Sequence, residues 1–119
     1  MATEISATAL LSFLKGPLSS AFSPSAIAPT MTGTAYIRRS FSAPTSATAI
    51  PLGDVATPGW CLIVNRDAIN FVEVFTASAG VVALKILAGE FALFRFGVAA
   101  PALKANTAAV VVDYLLLDT

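Results

Sequence analysis

The groups in this 119-residue chain that could do chemistry are few: seven carboxylates, one thiol and seven cations, with no histidine. Asp67 with Glu73, or Glu90 with Asp113, would be the carboxylate pairs for glycoside hydrolysis. That reaction needs an acid and a base about 5 to 9.5 Å apart. The simpler reading puts Asp67 in a turn, Glu73 and Asp113 on outer strand faces, and Glu90 beside a turn. The missing histidine removes Ser-His-Asp and Cys-His triads, His-bearing zinc sites and most general-base catalysis. Cys61 alone cannot build a four-thiolate zinc site or an intrachain disulfide. It lies in an apolar run, where a free cysteine behaves as a small buried hydrophobe. "GDVATPG" lacks the lysine and the helix of a phosphate loop, and no Asp-rich calcium loop is present. The expectation is a protein that is not an enzyme and takes no cofactor or metal.

Arg38-Arg39 is the only adjacent basic pair, flanked by Tyr36 and Phe41. On a strand the two guanidinium groups face opposite sides, so they form no phosphate-binding patch. A net charge of zero adds no general attraction to nucleic acid. Arginines at the rim of a subunit contact are the better reading, since guanidinium suits ion pairs across interfaces. Trp60 reads as a core or interface aromatic before a sugar platform.

The elements that must position these residues are strands. β-branched, aromatic and turn residues dominate from about residue 26, and long helical periodicity is absent. The pattern predicts strands at 27–32, 34–42, 46–52, 60–65, 70–76, 80–86, 91–96 and 108–117, a sandwich or jelly roll. Pro58-Gly59 reads as a tight turn. Asn65-Arg66-Asp67-Ala68 and Ala88-Gly89 read as hairpin turns. Ser78-Ala79-Gly80 and Ala105-Asn106 are further breaks. In the first 23 residues, Ile5, Ala7, Ala9, Leu11 and Phe13 alternate with polar positions as in a strand. Leu10 breaks that alternation, and "ISATALLSFLK" with Thr3 as a cap also suits a helix. Strand is favoured, ended by Gly16-Pro17, after which "SSAFSPSAIAPT" continues as an irregular arm or an edge strand. The expected organisation is an N-terminal strand or docking arm over residues 1–25 and an all-β antiparallel sandwich or jelly-roll domain over 26–119.

Both faces of the expected strands are apolar. Leu62 and Val64 oppose Cys61 and Ile63. Val72 and Val74 oppose Phe71, Glu73 and Phe75. A solvated antiparallel sheet alternates more cleanly, so the second face should meet the N-terminal segment, a neighbouring subunit, or both. Composition agrees. Hydrophobic residues make up 56% of the chain and charged residues 12%, about half the usual charged share. On the roughly 6,000 Å² expected of one compact domain of this size, charges are sparse. Zero net charge favours association. The longest uncharged run, Gly16 to Ile37, contains three prolines and would break as a spanning helix, so no membrane is expected. Glu4 sits where a signal peptide would be positive, so the chain reads as made in the cytoplasm and unprocessed.

"LGDVATPGW", "NRDAINFVEV", "LAGEFALFRF" and "KANTAAVVVDYLLLD" together resemble small structural proteins encoded among the virion genes of tailed bacteriophages. The likeness covers roughly residues 50 to 118, with looser "SFLKG" and "PTMTGT" upstream. Its motifs are turn signals: Thr57 to Trp60, Asn65 to Glu73, Ala88 to Glu90, and the closing strand Ala108 to Asp118. The resemblance implies a single β-sandwich with no catalytic residues to carry over. It implies a bacteriophage virion protein, first a capsid decoration or cement protein, for which homotrimers at local threefold positions are usual. Its partners would be its own copies and the major capsid protein or another virion protein. A tail, neck or baseplate protein and a carbohydrate-binding adsorption module are the alternatives. The expected contact residues are Arg38, Arg39, Trp60, Phe71, Phe75, Phe91 and Tyr114.

Overall fold

The computed structural model describes residues 4–118, and the chain divides into two compact units, Met1–Met31 and Thr32–Thr119. All regular structure among the described residues is β.

The first unit is built around one hairpin, β1 (Leu11–Lys15) and β2 (Leu18–Phe22), paired antiparallel from Leu11 opposite Phe22 to Lys15 opposite Leu18. Gly16-Pro17 is its turn. Gly16 adopts a φ of +56°, a conformation that side chains with a Cβ rarely take. The pair therefore reverses the chain where the sequence suggested an end. At the base, Ala7 and Ile27 exchange two backbone hydrogen bonds of 3.0 Å, and Ile5 N donates to the Pro29 carbonyl. The expected strand at 27–32 is reduced to that single bridge. Pro29 has no N–H to continue a ladder.

The second unit is a two-sheet sandwich of eight strands. They are β3 (Tyr36–Ala43), β4 (Thr48–Ala49), β5 (Pro58–Asn65), β6 (Val72–Phe75), β7 (Val82–Ile86), β8 (Phe91–Arg95), β9 (Ala102–Ala105) and β10 (Val110–Asp118). One sheet has the order β3-β10-β5-β8 and the other β4-β9-β6-β7, all pairs antiparallel. Every connection except β6–β7 passes from one sheet to the other, which is the strand order of a jelly roll. The all-β antiparallel expectation holds.

The turn assignments need three corrections. Asn65-Arg66-Asp67-Ala68 and Ala88-Gly89 are not hairpin turns: each carries the chain across the sandwich, from β5 to β6 and from β7 to β8. Pro58-Gly59 is the start of β5, where proline's missing N–H is tolerated. The sequence reading also missed β9, an alanine-rich strand between β4 and β6. Alanine is a weak strand former, but small side chains let this central strand pack closely: Ala102, Leu103 and Ala105 are fully buried.

The core lies between the sheets. Cys61, Ile63, Val110, Val112, Tyr114 and Leu116 from one sheet meet Val72, Val74, Leu103 and Ala105 from the other. Phe94 and Phe96 pack edge to face with centroids 4.7 Å apart. Burying each large aliphatic chain here contributes about 1.5–3 kcal/mol. Asn65 is the one buried polar side chain of that layer. Its Nδ2 donates to the carbonyls of Asn70 (3.1 Å) and Ile86 (3.0 Å), and its Oδ1 accepts from Asp67 N (2.8 Å).

Candidate assembly surface

Strand alternation assigns each side chain of β3, β10, β5 and β8 to the core or to the outer face. Register then arranges the outer residues in rows. Arg38, Leu115, Leu62 and Leu93 form one row across all four strands, and Ser40, Asp113, Val64 and Phe91 the next. Tyr36 stands opposite Leu117 beyond the first row, and Trp60 opposite Arg95. The first row is therefore aliphatic across β10, β5 and β8, with Arg38 and Arg95 on the edge strands, while Asp113 places a carboxylate on central β10 in the second row. A hollow of about 560 Å³ opens over this face, lined by Leu62, Val64 and Leu115 together with Arg38, Arg39, Arg66 and Asp113.

One charged cluster crosses the face. Arg66 Nε lies 2.7 Å from Asp113 Oδ2, and Ser40 Oγ donates to Asp113 Oδ1. The Ser40 bond and then the Arg66 bond hold the Asp113 carboxyl below the usual carboxylate range. Trp60 is half-buried, and its indole N–H is shielded from solvent without an acceptor among the described residues. A buried donor left unmade costs about 1–3 kcal/mol.

The outer face of the other sheet differs. Lys85, Glu73 and Lys104 lie side by side across β7, β6 and β9. Lys85 Nζ sits 4.1 Å from the centroid of the Phe71 ring, and Lys104 Nζ 5.9 Å from that of Phe75, both within cation–π range. The ammonium groups keep this face polar and occupy the two rings.

The seven expected contact residues are thus dispersed. Arg38, Trp60 and Phe91 share the apolar outer face, with Phe91 69% exposed. Phe71 and Phe75 are on the opposite sheet beneath lysines. Arg39 follows Arg38 on the edge strand; register sets it opposite Tyr114, but its side chain is exposed and lines the same hollow as Arg38. Tyr114 is a correction: it is 3% exposed, and its hydroxyl donates to the Pro51 carbonyl at 2.6 Å, so it belongs to the core. Its aromatic type suggested an interface, but its place in the alternation Val110, Val112, Tyr114, Leu116 puts it inside.

Sequence reasoning missed Leu62, Leu93, Leu115 and Tyr36 as members of this face. The signal was present as alternation, but which half of each strand faced outward needed the pairing. It also missed the hairpin's apolar side. Leu11, Phe13, Leu18 and Phe22 share one face of β1–β2 by register and are 56 to 75% exposed. Ser12, Leu14, Ser19 and Ala21 form the opposite face, where Leu14 is the one large apolar side chain and is 80% exposed.

The carboxylates considered for catalysis are committed to local structure. Asp67 accepts from Asn70 N (2.6 Å) and Ile69 N (3.0 Å), which lowers its carboxyl's pKa. Glu90 Oε1 accepts from Leu87 N, and Asp113 is paired as described. Burial raises the Cys61 thiol to about 12, far from the range of a reactive thiolate. Among the described residues no group of three or more His, Cys, Asp or Glu side chains could hold a metal ion. No helix there is long and apolar enough to cross a membrane.

No protein-family model, no curated protein and no solved structure matches the chain.

Proposed function

We propose that this chain is a non-enzymatic structural protein of a bacteriophage virion, a decoration protein that stabilises the capsid through contacts between its own copies and with the shell protein. The observation that carries the assembly part is the asymmetry of the sandwich. The outer face of β3-β10-β5-β8 carries adjoining leucines, Leu115, Leu62 and Leu93, with Phe91 and Tyr36 exposed beside them, bordered by Arg38 and Arg95 and crossed by the Arg66–Asp113 pair, while the centre of the other sheet's outer face is a lysine–glutamate–lysine row. Apolar surface gathered on one side marks a contact site. The virion part rests on the likeness of the sequence motifs at Thr57 to Trp60, Asn65 to Glu73 and Ala88 to Glu90. The jelly-roll strand order is compatible with it, since capsid proteins are one of several classes that use this architecture.

In this reading the charged sheet faces solvent and the apolar sheet faces the assembly. Arg38 and Arg95 lie at its rim, where charges select a partner's orientation more than they add affinity. A trimer at local threefold positions is the expected arrangement. Electron cryomicroscopy of purified virions tests the proposal. Density for this chain in threefold clusters over the icosahedral shell is the expected result. Density confined to one vertex or to the tail would overturn the decoration reading, and absence from the particle would overturn the virion reading altogether.

A further inference from the structure

We propose that the β1–β2 hairpin of one copy lies with its apolar side on the outer face of β3-β10-β5-β8 of a second copy. This specifies the self-contact in the assembly reading above, and it holds or fails independently of where the assembly is located.

The hairpin itself supplies the first argument. A lone two-stranded hairpin is at best marginally stable in water. This one carries Leu11, Phe13, Leu18 and Phe22 on one side, all largely exposed, together with Ser20 and, at the turn end, its only charge, Lys15. The sheet face is the matching case: Leu62, Leu93 and Leu115 adjoin across three strands, with Phe91 and Tyr36 exposed beside them.

Area decides between the available partners. Large apolar side chains present on the order of 150–250 Å² each, so the hairpin side offers roughly 450 Å² and the sheet face about 550 Å². Two hairpins laid against each other would bury about 900 Å² in total, below the ~1,200 Å² at which stable interfaces begin. That arrangement would also leave both sheet faces in water. A reciprocal exchange of hairpin onto sheet buries about 2,000 Å² and covers both surfaces, within the range of stable complexes. A ring of copies, each giving its hairpin to the next, covers the same surfaces with about 1,000 Å² of this apolar area per contact, at the lower limit for a specific interface. Lys15 shares the hairpin's apolar side by register, opposite Leu18 at the turn end, so its long side chain has to reach past the contact to solvent, and the Asp113 carboxylate on the sheet face is already paired with Arg66.

The test uses two single-cysteine additions to the full chain, Phe22→Cys and Leu93→Cys, at exposed positions; native Cys61 is buried and stays unreactive. The variants are mixed under mild oxidation, and the products separated by mass. The expected result is a disulfide joining one Phe22→Cys chain to one Leu93→Cys chain in excess over either homodimer. Light scattering should show an oligomer for the wild type. Phe13→Asp and Leu93→Asp should each reduce it to monomer with an unchanged cooperative unfolding curve. A monomeric wild type overturns the inference, as does dominance of the disulfide between two Phe22→Cys chains. A disulfide confined within one chain of the double variant at high dilution would also overturn it. If the protein is monomeric but still decorates shells, this inference and the self-contact in the proposed function fail while the shell-decoration reading stands.

Discussion

The Tyr114 hydroxyl donates to the Pro51 carbonyl at 2.6 Å, joining β10 to the segment that follows β4 in the opposite sheet. The bond gives the only polar atom of this core aromatic a partner and bridges the two layers. Tyr114→Phe leaves the ring in place and the Pro51 carbonyl without its donor, and should cost about 1 kcal/mol. Tyr114→Ala also opens a cavity and should cost about 3–5 kcal/mol. Urea unfolding monitored at Trp60 measures both. Neither substitution should alter self-association at concentrations where the protein is folded, because the side chain is not on the outer face.

Asn65 is the polar hinge of the sandwich. It sits where the chain leaves β5 for the other sheet, and all of its described hydrogen bonds go to backbone groups of that corner. Asn65→Leu would leave the carbonyls of Asn70 and Ile86 and the Asp67 N–H without their partner. At about 1 kcal/mol or more for each group left unmade, the expected loss is about 2–4 kcal/mol. Asn65→Asp should be no better, since a carboxylate cannot donate to two carbonyls. Thermal unfolding of the two variants beside the wild type checks this.

Much of the sandwich was legible because alternation and turn chemistry are local. The spans around β5, β6, β7, β8 and β10 followed from period-2 patterning. What turn residues do not reveal is which strand receives the chain next. Asn65-Arg66-Asp67 and Ala88-Gly89 reverse direction as their types require, yet both cross between sheets, because each flanking strand has better partners elsewhere: β5 pairs with β10 and β8, and β6 with β9 and β7. The same gap separates the expected contact residues from the apolar face. Residue type marked Tyr114 and Phe91 alike, and only register tells that one points into the core and the other out. β9 was hidden because Ala102 and Ala105 carry little strand signal, their fit depending on neighbours 30 to 50 residues away in sequence.

Burial raises Cys61 from 9.0 to about 12 and Tyr114 from 10.0 to about 12. For a group whose folded pKa exceeds its unfolded value, the stability it contributes is complete below the unfolded pKa and is lost as pH rises toward the folded one. The protein should therefore lose stability between about pH 9 and pH 12. Cys61→Ala and Tyr114→Phe, each less stable at neutral pH, should show a flatter decline over that window. The native thiol should not react with a thiol reagent at pH 8, and full reaction should appear only with unfolding. Denaturant midpoints collected from pH 7 to 11 read the first expectation, and labelling with and without urea the second.

On the acid side the groups are Asp67 and Asp113, both shifted down. Asp67 is lowered by the Asn70 and Ile69 N–H groups, and Asp113 by Ser40 and then Arg66. With the folded pKa depressed, their contribution is present above the unfolded value and is lost as pH falls through the folded one, so it fades below about pH 4. Both carboxyls are exposed, and an exposed ion pair contributes little to folding. The larger consequence is at the outer face. Protonating Asp113 leaves the Arg66 guanidinium unpaired beside Leu62 and Val64, and a contact that covers this surface must then bury or displace an uncompensated cation. Asp113→Asn should reproduce that state at neutral pH: self-association weakened about tenfold or more, with the unfolding midpoint shifted only slightly. Arg66→Met, which removes the cation instead, should leave the protein less sensitive to acid. Sedimentation equilibrium of the three proteins at pH 7 and over a series of falling pH extending well below the usual carboxylate value measures the effect. Equal association of Asp113→Asn and wild type at pH 7 would show that the Arg66–Asp113 pair lies outside the contact.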